Sequence, residues 1–160
     1  MNQMSLFPSK PVLKKSISLY IDGASRGNPG YSSVGCVIKA GDLILEEHGY
    51  YIGKKTNNQA EYAALLIGLH FVVNHITLSD ELLIVSDSEL LVKQINGHYR
   101  VKDPILQKLF MRAKNILKTI PHRVTHVLRA HNTHADMLAN KALDQKIYLP
   151  KSLEPLVDHA

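Results

Sequence analysis

The sequence contains one cysteine, no tryptophan and no long hydrophobic run. Because Cys36 alone cannot form an internal disulfide, we expect a fold that is stabilised by packing and a reducing compartment, the cytoplasm. The longest apolar stretch, at residues 63–73, is interrupted by Gly68 and His70 and is shorter than the roughly 20 residues that cross a bilayer. Residues 1–15 lack the features of a secretion signal. The sequence therefore predicts a cytoplasmic protein without a membrane span.

The composition of the chain fits one globular domain. Of 160 residues, 45% are hydrophobic and 21% are charged, which is ordinary for a chain that builds a core. Lys and Arg number 19 against 14 Asp and Glu, and this basic balance suits a polyanionic partner such as nucleic acid. We expect a flexible N-terminal tail at residues 1–15, a domain at residues 16–147 and a loosely held C-terminal tail at residues 148–160.

Hydrophobic periodicity predicts an α/β domain with a mixed sheet. The expected strands and helices follow the order β-β-β-α-β-α-α-β-α, and the first three strands form an antiparallel unit with a tight loop at residues 23–30. Thr56 and Gln59 have the spacing of a capping box before a largely buried helix. The predicted strands are residues 16–22, 33–39, 43–51, 81–87 and 123–128, and the predicted helices are residues 60–76, 88–96, 104–119 and 133–146.

Four acidic residues occupy positions at which a carboxylate requires an explanation. Asp22 and Asp87 each end an apolar strand, where open α/β sheets bind ligands. Glu61 lies on the helix face that packs against the sheet, where an unpaired charge costs several kcal/mol. Asp136 is in the first turn of the last helix. A turn, cap or helix-dipole role explains any one of them, but together they suit a hard divalent cation, which takes oxygen ligands.

A site for a soft metal is less favoured by the same sequence. Cys36 has no second cysteine beside which it could bind zinc, and His131 and His134 are separated by only three residues. Surface or helix-capping roles explain these two histidines better.

Four segments in the same order and spacing resemble the type 1 ribonuclease H family. The resemblance extends from residue 16 to residue 146 and implies a ribonuclease H-like α/β fold, with a five-stranded mixed sheet flanked by helices. It also carries the metal-binding acids of the family onto Asp22, Glu61, Asp87 and Asp136. The segments are Asp-Gly-Ala-Ser-Arg-Gly-Asn-Pro-Gly at 22–30, Thr-Asn-Asn-Gln-Ala-Glu-Tyr at 56–62, Ser-Asp-Ser-Glu at 86–89 and Asn-Thr-His-Ala-Asp-Met-Leu-Ala-Asn at 132–140.

The resemblance implies hydrolysis of the RNA strand of an RNA/DNA hybrid, with 5′-phosphate and 3′-hydroxyl products. The implied cofactors are two Mg²⁺ or Mn²⁺ ions, one activating a water and one stabilising the leaving 3′-oxygen. Asp22 is expected to contact both ions. Glu61 and Asp87 are expected on the leaving-group side, with Glu61 also near the 2′-hydroxyl, and Asp136 is expected on the nucleophile side.

Substrate contacts are implied on the same basis. Short amide side chains can recognise the 2′-hydroxyl group that DNA lacks, Thr56 matches a contact to a DNA phosphate, and glycines such as Gly23 allow close backbone approach. Basic residues near the second and third helices could contact phosphates. A turn, cap or solvated-surface role is open for each of these residues. The expected substrate-binding residues are Gly23, Asn28, Thr56, Asn57, Asn58, Arg100 and Lys102.

Two departures from the family pattern affect the site. Glu89 replaces a Gln found two residues after the third acid in well-known members, so it either alters hybrid binding or faces away. The loop before the last acid is short, and His131 is the nearest candidate for a catalytic proton carrier, although a solvated loop histidine explains it equally well. Residues 98–103 lead directly into the next helix, so the basic protrusion of some members is missing.

A short peptide near the start of the chain resembles the motif by which bacterial proteins bind the replication sliding clamp. Residues 3–7 read Gln-Met-Ser-Leu-Phe, and the expected clamp-binding residues are Gln3, Leu6 and Phe7. We expect a monomer that acts in replication or repair. The alternatives are a module that binds hybrids or double-stranded RNA without turnover, and a related nuclease that cuts double-stranded RNA. The four intact acids favour the enzyme.

Overall fold

The structure is a computed structural model that describes residues 16–77 and 80–158. The expected N-terminal tail, with Gln3, Leu6 and Phe7 of the clamp-like peptide, lies outside the described residues. Among the residues that are described, no helix is long and apolar enough to cross a membrane.

A five-stranded sheet forms the centre of the fold, in the order β3-β2-β1-β4-β5. β1 pairs antiparallel with β2, and β2 with β3, whereas β4 runs parallel to both β1 and β5. This arrangement confirms the predicted mixed sheet with three antiparallel strands first. The strands are β1 (Ile17–Gly27), β2 (Gly30–Ala40), β3 (Leu43–Lys55), β4 (Leu82–Ser86) and β5 (His122–His126), and the helices are α1 (Asn57–Val72), α2 (Glu89–Ile95), α3 (Pro104–Leu117), α4 (Thr133–Gln145) and α5 (Glu154–Val157).

The β1–β2 hairpin is longer than the sequence indicated. A tight loop was expected at residues 23–30, but the ladder continues until Gly27 pairs with Gly30. Alternation of apolar residues ends at Asp22 because the outer part of the hairpin is at the rim of the domain, where backbone pairing does not require buried side chains. The projecting turn brings Asn28 to α1, where its Oδ1 accepts a hydrogen bond from the Asn57 N–H at 3.0 Å.

The helix α1 is held at its start by the predicted capping box. The Gln59 N–H donates to Thr56 Oγ1 at 3.2 Å, and the Thr56 N–H donates to Gln59 Oε1 at 3.0 Å. Helix α1 is apolar on nearly all sides because it packs against the sheet on one side and α3 on the other. Its cap fixes the position of Glu61, which directly follows the first helical turn.

Helix α4 packs against the opposite face of the sheet, and two glycines permit the close approach. A Cβ atom on Gly35 of β2 would collide with the Ala135 carbonyl oxygen, and one on Gly49 of β3 would meet the Leu138 carbonyl oxygen at 2.5 Å. The sheet is therefore placed between α1 and α4, and each helix supplies one acid to the middle of β1.

The end of the chain differs from the expectation of a loosely held tail at residues 148–160. The side chains of Leu149, Leu153 and Val157 are buried in the core. The Leu149 N–H also donates to the Tyr51 carbonyl at 3.1 Å, which joins this segment to β3. The reason is spacing: the three apolar residues are four positions apart, so two short helical turns direct all of them to one side. Residues 148–158 are thus packed against the domain.

Candidate active site

Three acids meet beside the middle of β1, where the neighbouring strand β4 ends. Asp22 is in β1, Asp87 follows β4, and Glu61 enters from α1; their carboxylate oxygens lie within 4.8 Å of one another. Parallel pairing of Ile21 with Ser86 places Asp22 and Asp87 at the same level of the sheet. Strand-end spacing and the capped helix therefore bring together three of the four acids that the sequence singled out.

The position of Glu61 depends on a glycine. The Gly23 N–H donates to Glu61 Oε2 at 3.1 Å. A Cβ atom on Gly23 would collide with the Ala60 backbone, so a larger residue would push α1 away from β1. Gly23 was predicted to allow close approach of a substrate; what the structure shows is close approach of the helix that carries Glu61.

Asp136, the fourth acid, reaches the site from α4. It lines the same cleft as Asp22, which has a volume of about 340 Å³, and a hydrogen bond with its side chain raises the pKa of Asp22. Asn140, one turn further along α4, donates to Asp136 Oδ1 at 3.1 Å. Buried Asn132 donates to the Ile21 carbonyl at 2.8 Å, joining the start of α4 to β1. These two asparagines position Asp136, and the sequence analysis had not assigned them this role.

Crowding makes ionisation of the acids unfavourable. Burial raises the pKa of Asp22 to about 9, and the charges of Glu61 and Asp87 add to the effect. Burial and the charge of Asp87 raise the pKa of Glu61 to about 8, against the opposing effects of the Gly23 N–H and Arg129. A divalent cation would relieve this repulsion, and carboxylate oxygens are the ligands that hard cations prefer. The residues present therefore fit a divalent metal site.

The predicted amide residues lie at the rim of the acid cleft. Asn57 lines the cleft itself, and Asn58 is exposed beside it in the first turn of α1. Asn28 contacts the same turn from the hairpin. Thr56 caps α1 and is half-buried. Arg100 and Lys102, in contrast, are exposed between α2 and α3 and do not line the cleft.

Arg129 and His126 approach the acids although the sequence analysis did not select them. Arg129 Nε lies 3.9 Å from Asp87 Oδ2, and the arginine side chain is 85% exposed and lines the cleft. The His126 ring nitrogen Nε2 lies 3.2 Å from the Asp87 carbonyl oxygen. His131, the predicted proton carrier, is exposed in a short turn and does not line the acid cleft. The sequence feature that could have identified Arg129 is its position in the same short loop as His131.

Glu89 does not face the acids. Its carboxylate forms an ion pair with Lys93 Nζ at 2.7 Å along the exposed side of α2. That lysine also lowers the pKa of Glu89. Of the two possibilities that the sequence left open, the structure favours the one in which Glu89 is directed away.

Known proteins resemble this chain in sequence and in fold. A family model described as reverse transcriptase-like matches residues 20–142. Ribonuclease HI of Halobacterium salinarum is 44% identical over 130 residues, which cover 80% of this chain. The crystal structure of RNase H1 from the same archaeon matches with a TM-score of 0.77 at 43% identity, over 81% of this chain and 98% of the other. The chain belongs to the type 1 ribonuclease H family.

This member of the family also resembles a relative solved with nucleic acid. LC11-RNase H1, crystallised in complex with an RNA/DNA hybrid, matches with a TM-score of 0.78 at 36% identity, over 82% of this chain and 99% of the other. The chain spans 64% of the length of the H. salinarum ribonuclease HI. Membership in the ribonuclease H family agrees with the predicted fold and with a carboxylate cluster suited to divalent metal.

Proposed function

We propose that this chain is a metal-dependent endonuclease that hydrolyses the RNA strand of RNA/DNA hybrids, leaving 5′-phosphate and 3′-hydroxyl ends, in replication or repair. The observation that carries the proposal is the cluster of Asp22, Glu61 and Asp87, whose oxygens lie within 4.8 Å of one another. A module that only binds nucleic acid has no use for crowded acids, since they repel phosphate. The hybrid bound to LC11-RNase H1 supports the choice of substrate.

The four acids fit two Mg²⁺ or Mn²⁺ ions. When bound, such ions supply a water of lowered pKa and stabilise charge on the leaving oxygen. Asp22 interacts with each of the other three acids and would contact both ions. Glu61 and Asp87 belong to one side of Asp22, and Asp136, supported by Asn140, belongs to the side of α4.

The amides at the rim recognise the RNA strand. The exposed Asn28 side chain accepts a hydrogen bond from the Asn57 backbone through its oxygen, so its NH₂ group can donate to a substrate. Asn57 and Asn58 are exposed next to the acids. These groups can bond the 2′-hydroxyl and select RNA at the cut strand, while Gly23 holds Glu61 in place.

Other residues neutralise the substrate and move protons. Arg129 forms an ion pair with the Asp87 carboxylate at 3.9 Å, and it can bind a substrate phosphate beside the acids. Thr56, at the start of α1, suits a phosphate of the DNA strand, and Arg100 and Lys102 add contacts without reading sequence. His131 is exposed in the adjoining loop and serves as the proton carrier in this proposal.

A panel of duplexes tests the substrate assignment. A labelled RNA strand is annealed to DNA or to RNA and incubated with Mg²⁺, Mn²⁺ or a chelator, and a labelled DNA duplex serves as the control. The proposal expects cuts only in the RNA/DNA hybrid and only with a divalent ion. Equal cutting of double-stranded RNA would identify the alternative nuclease, and binding without cuts under every ion would identify a binding module.

We also propose a role for the peptide at residues 3–7, in a monomeric cytoplasmic enzyme. Leu6 and Phe7 are apolar anchors and Gln3 supplies hydrogen bonds, a pattern that suits the pocket of a bacterial sliding clamp. Calorimetric titration of the full chain into purified clamp should show binding that is lost with Leu6→Ala and Phe7→Ala together. Binding that persists in this variant would contradict the proposal.

A further inference from the structure

Three tyrosines lie side by side near the C-terminal end of α4. The ring centres of Tyr31 and Tyr51 are 6.4 Å apart, and those of Tyr51 and Tyr148 are 5.4 Å apart with the rings edge to face. Tyr31 and Tyr148 are 56% and 67% exposed. We name Tyr31, Tyr51 and Tyr148 the tyrosine strip. Large aromatic faces left in water are suited to a partner with flat rings.

The tyrosine strip is surrounded by an excess of positive charge. Lys54 Nζ is 5.5 Å from the centre of the Tyr31 ring, and five basic side chains face three acidic ones along the strip. Arg26 and Asp144 pair with each other, so the excess of basic over acidic side chains remains two. The basic residues are Arg26, Lys54, Lys55, Lys146 and Lys151, and the acidic residues are Asp144, Glu154 and Asp158. Aromatic faces combined with basic groups suit a polyanion that carries flat rings.

The tyrosine strip and the acid cleft are linked by shared lining residues. Arg26 lines the acid cleft and also a neighbouring cleft of about 410 Å³ that includes Tyr31, Tyr51 and Lys146. Tyr51 is shared in turn with a cleft of about 510 Å³ that includes Tyr148. A strand that leaves the acids on the side of Arg26 therefore reaches the tyrosines without crossing the core.

The backbone at Lys146 adds a separate observation. Lys146 ends α4 with φ of 49°, in the left-handed region that glycine or asparagine usually occupies at this position. A lysine backbone is sterically strained in this region, whereas a glycine backbone is not. Its exposed side chain lies beside Tyr31 and Tyr51, so a contact with phosphate gives a reason for lysine at this place.

We propose that the tyrosine strip binds unpaired nucleotides that continue the RNA strand beyond the hybrid. The proposal rests on the proposed function, which places the cut strand at the acids. Only unpaired bases expose both faces for stacking on tyrosine, whereas a duplex would offer phosphates alone. The enzyme would then hold RNA at a junction where a hybrid meets single-stranded RNA.

The test compares hybrids with and without an overhang. One hybrid is blunt, and the others carry a single-stranded overhang of about eight nucleotides, a length within the range of single-strand sites. The overhang extends the RNA strand at its 5′ end, the RNA strand at its 3′ end, or the DNA strand. Affinity is measured by fluorescence anisotropy in Mg²⁺ with the Asp87→Asn protein, so that the substrate stays intact. We expect one RNA overhang to tighten binding about tenfold, since stacking on one aromatic is typically worth that factor or more.

Variants of the strip separate stacking from charge. Tyr148→Ala should abolish most of the gain from the overhang, and Tyr148→Phe, which keeps the aromatic ring, should retain it. Lys146→Gly should reduce the gain without lowering Tm, because glycine accepts the left-handed backbone. Lys118→Ala is the control: it removes one positive charge from the C-terminal end of α3, on the other side of the sheet. It should leave the gain in affinity from the overhang unchanged.

The outcomes distinguish this inference from the proposed function. Equal affinity for blunt and overhanging hybrids, or a gain that survives Tyr148→Ala, would overturn the inference. An equal gain from a DNA overhang would overturn the assignment to the cut strand. Cleavage of the blunt hybrid by the unmodified chain is measured in parallel: its absence refutes the proposed function, and its presence without an overhang effect refutes only the tyrosine strip.

Discussion

Replacing Asp22 by asparagine should stabilise the metal-free protein. Asp22 is only 5% exposed and is surrounded by the other acids, and its pKa is raised from 3.8 to about 9. Between these two values the folded state binds more protons than the unfolded state. The free energy of unfolding therefore falls as pH rises through this range. Asparagine has nearly the same shape and carries no charge, so it removes the penalty.

The structure sets the size of this effect. Neutral pH lies roughly three units above the ordinary pKa of an aspartate. At about 1.4 kcal/mol per unit, the raised pKa of Asp22 lowers the free energy of unfolding at neutral pH by at most about 4 kcal/mol. The cleft is open to water, which screens the charges, so we expect about 1–2 kcal/mol. For a domain of this size that corresponds to a Tm increase of about 2–8 °C.

Thermal unfolding followed by circular dichroism, in chelator at pH 5, 7 and 8, measures the difference in Tm between the variant and the unmodified protein. We expect the advantage of Asp22→Asn to grow with pH, and Mg²⁺ to raise the Tm of the unmodified protein but not that of the variant. Asp42→Asn, in the exposed β2–β3 turn, is the matched control and should have little effect. A variant that is less stable at pH 8, or a difference that does not depend on pH, would refute the reasoning on crowded acids.

Three further substitutions test other parts of the account. Arg129→Ala removes an 85% exposed charge 3.9 Å from the Asp87 carboxylate, so we expect an unchanged Tm and a several-fold higher KM for hybrid in steady-state kinetics; an unchanged KM would argue against phosphate binding by this residue. Gly35→Ala forces α4 off the sheet, and denaturant unfolding should show a loss of about 1–3 kcal/mol; wild-type stability would contradict the close packing. Glu89→Gln removes a carboxylate that pairs with Lys93, and hybrid affinity should not change; tighter binding would show that Glu89 faces the substrate.

Elements with strong periodicity could be predicted from the sequence, and irregular ones could not. The capping box at Thr56 predicted the start of α1, because local hydrogen bonds decide that position. The outer β1–β2 hairpin was missed because its polar residues are held by backbone pairing with a partner strand, which local alternation does not reveal. The packed segment at residues 148–158 was missed because its prolines and short turns resemble a loop until Leu149, Leu153 and Val157 find the core.

The acids of the candidate site could be predicted because each occupies a recognisable local position. Asp22 ends the apolar alternation of β1, Asp87 follows β4, and Glu61 follows a helix cap, so topology brings them together. Arg129 and the tyrosine strip depend instead on tertiary contacts between distant segments. Tyr51 and Tyr148 are brought together by a bridge between β3 and the end of the chain, and no local pattern in the sequence predicts such a pair.

Cleavage by the Asp87→Asn variant tests the central claim most directly. Unmodified and variant proteins are incubated with Mg²⁺ and a hybrid whose RNA strand carries a 5′ label, and binding is measured on the same substrate. We predict that the variant binds the hybrid with similar affinity and cuts it at least about a hundredfold more slowly, the loss expected when a group that stabilises charge is removed. Cleavage by Asp87→Asn at the unmodified rate would contradict the assignment of the acid cluster as the catalytic metal site.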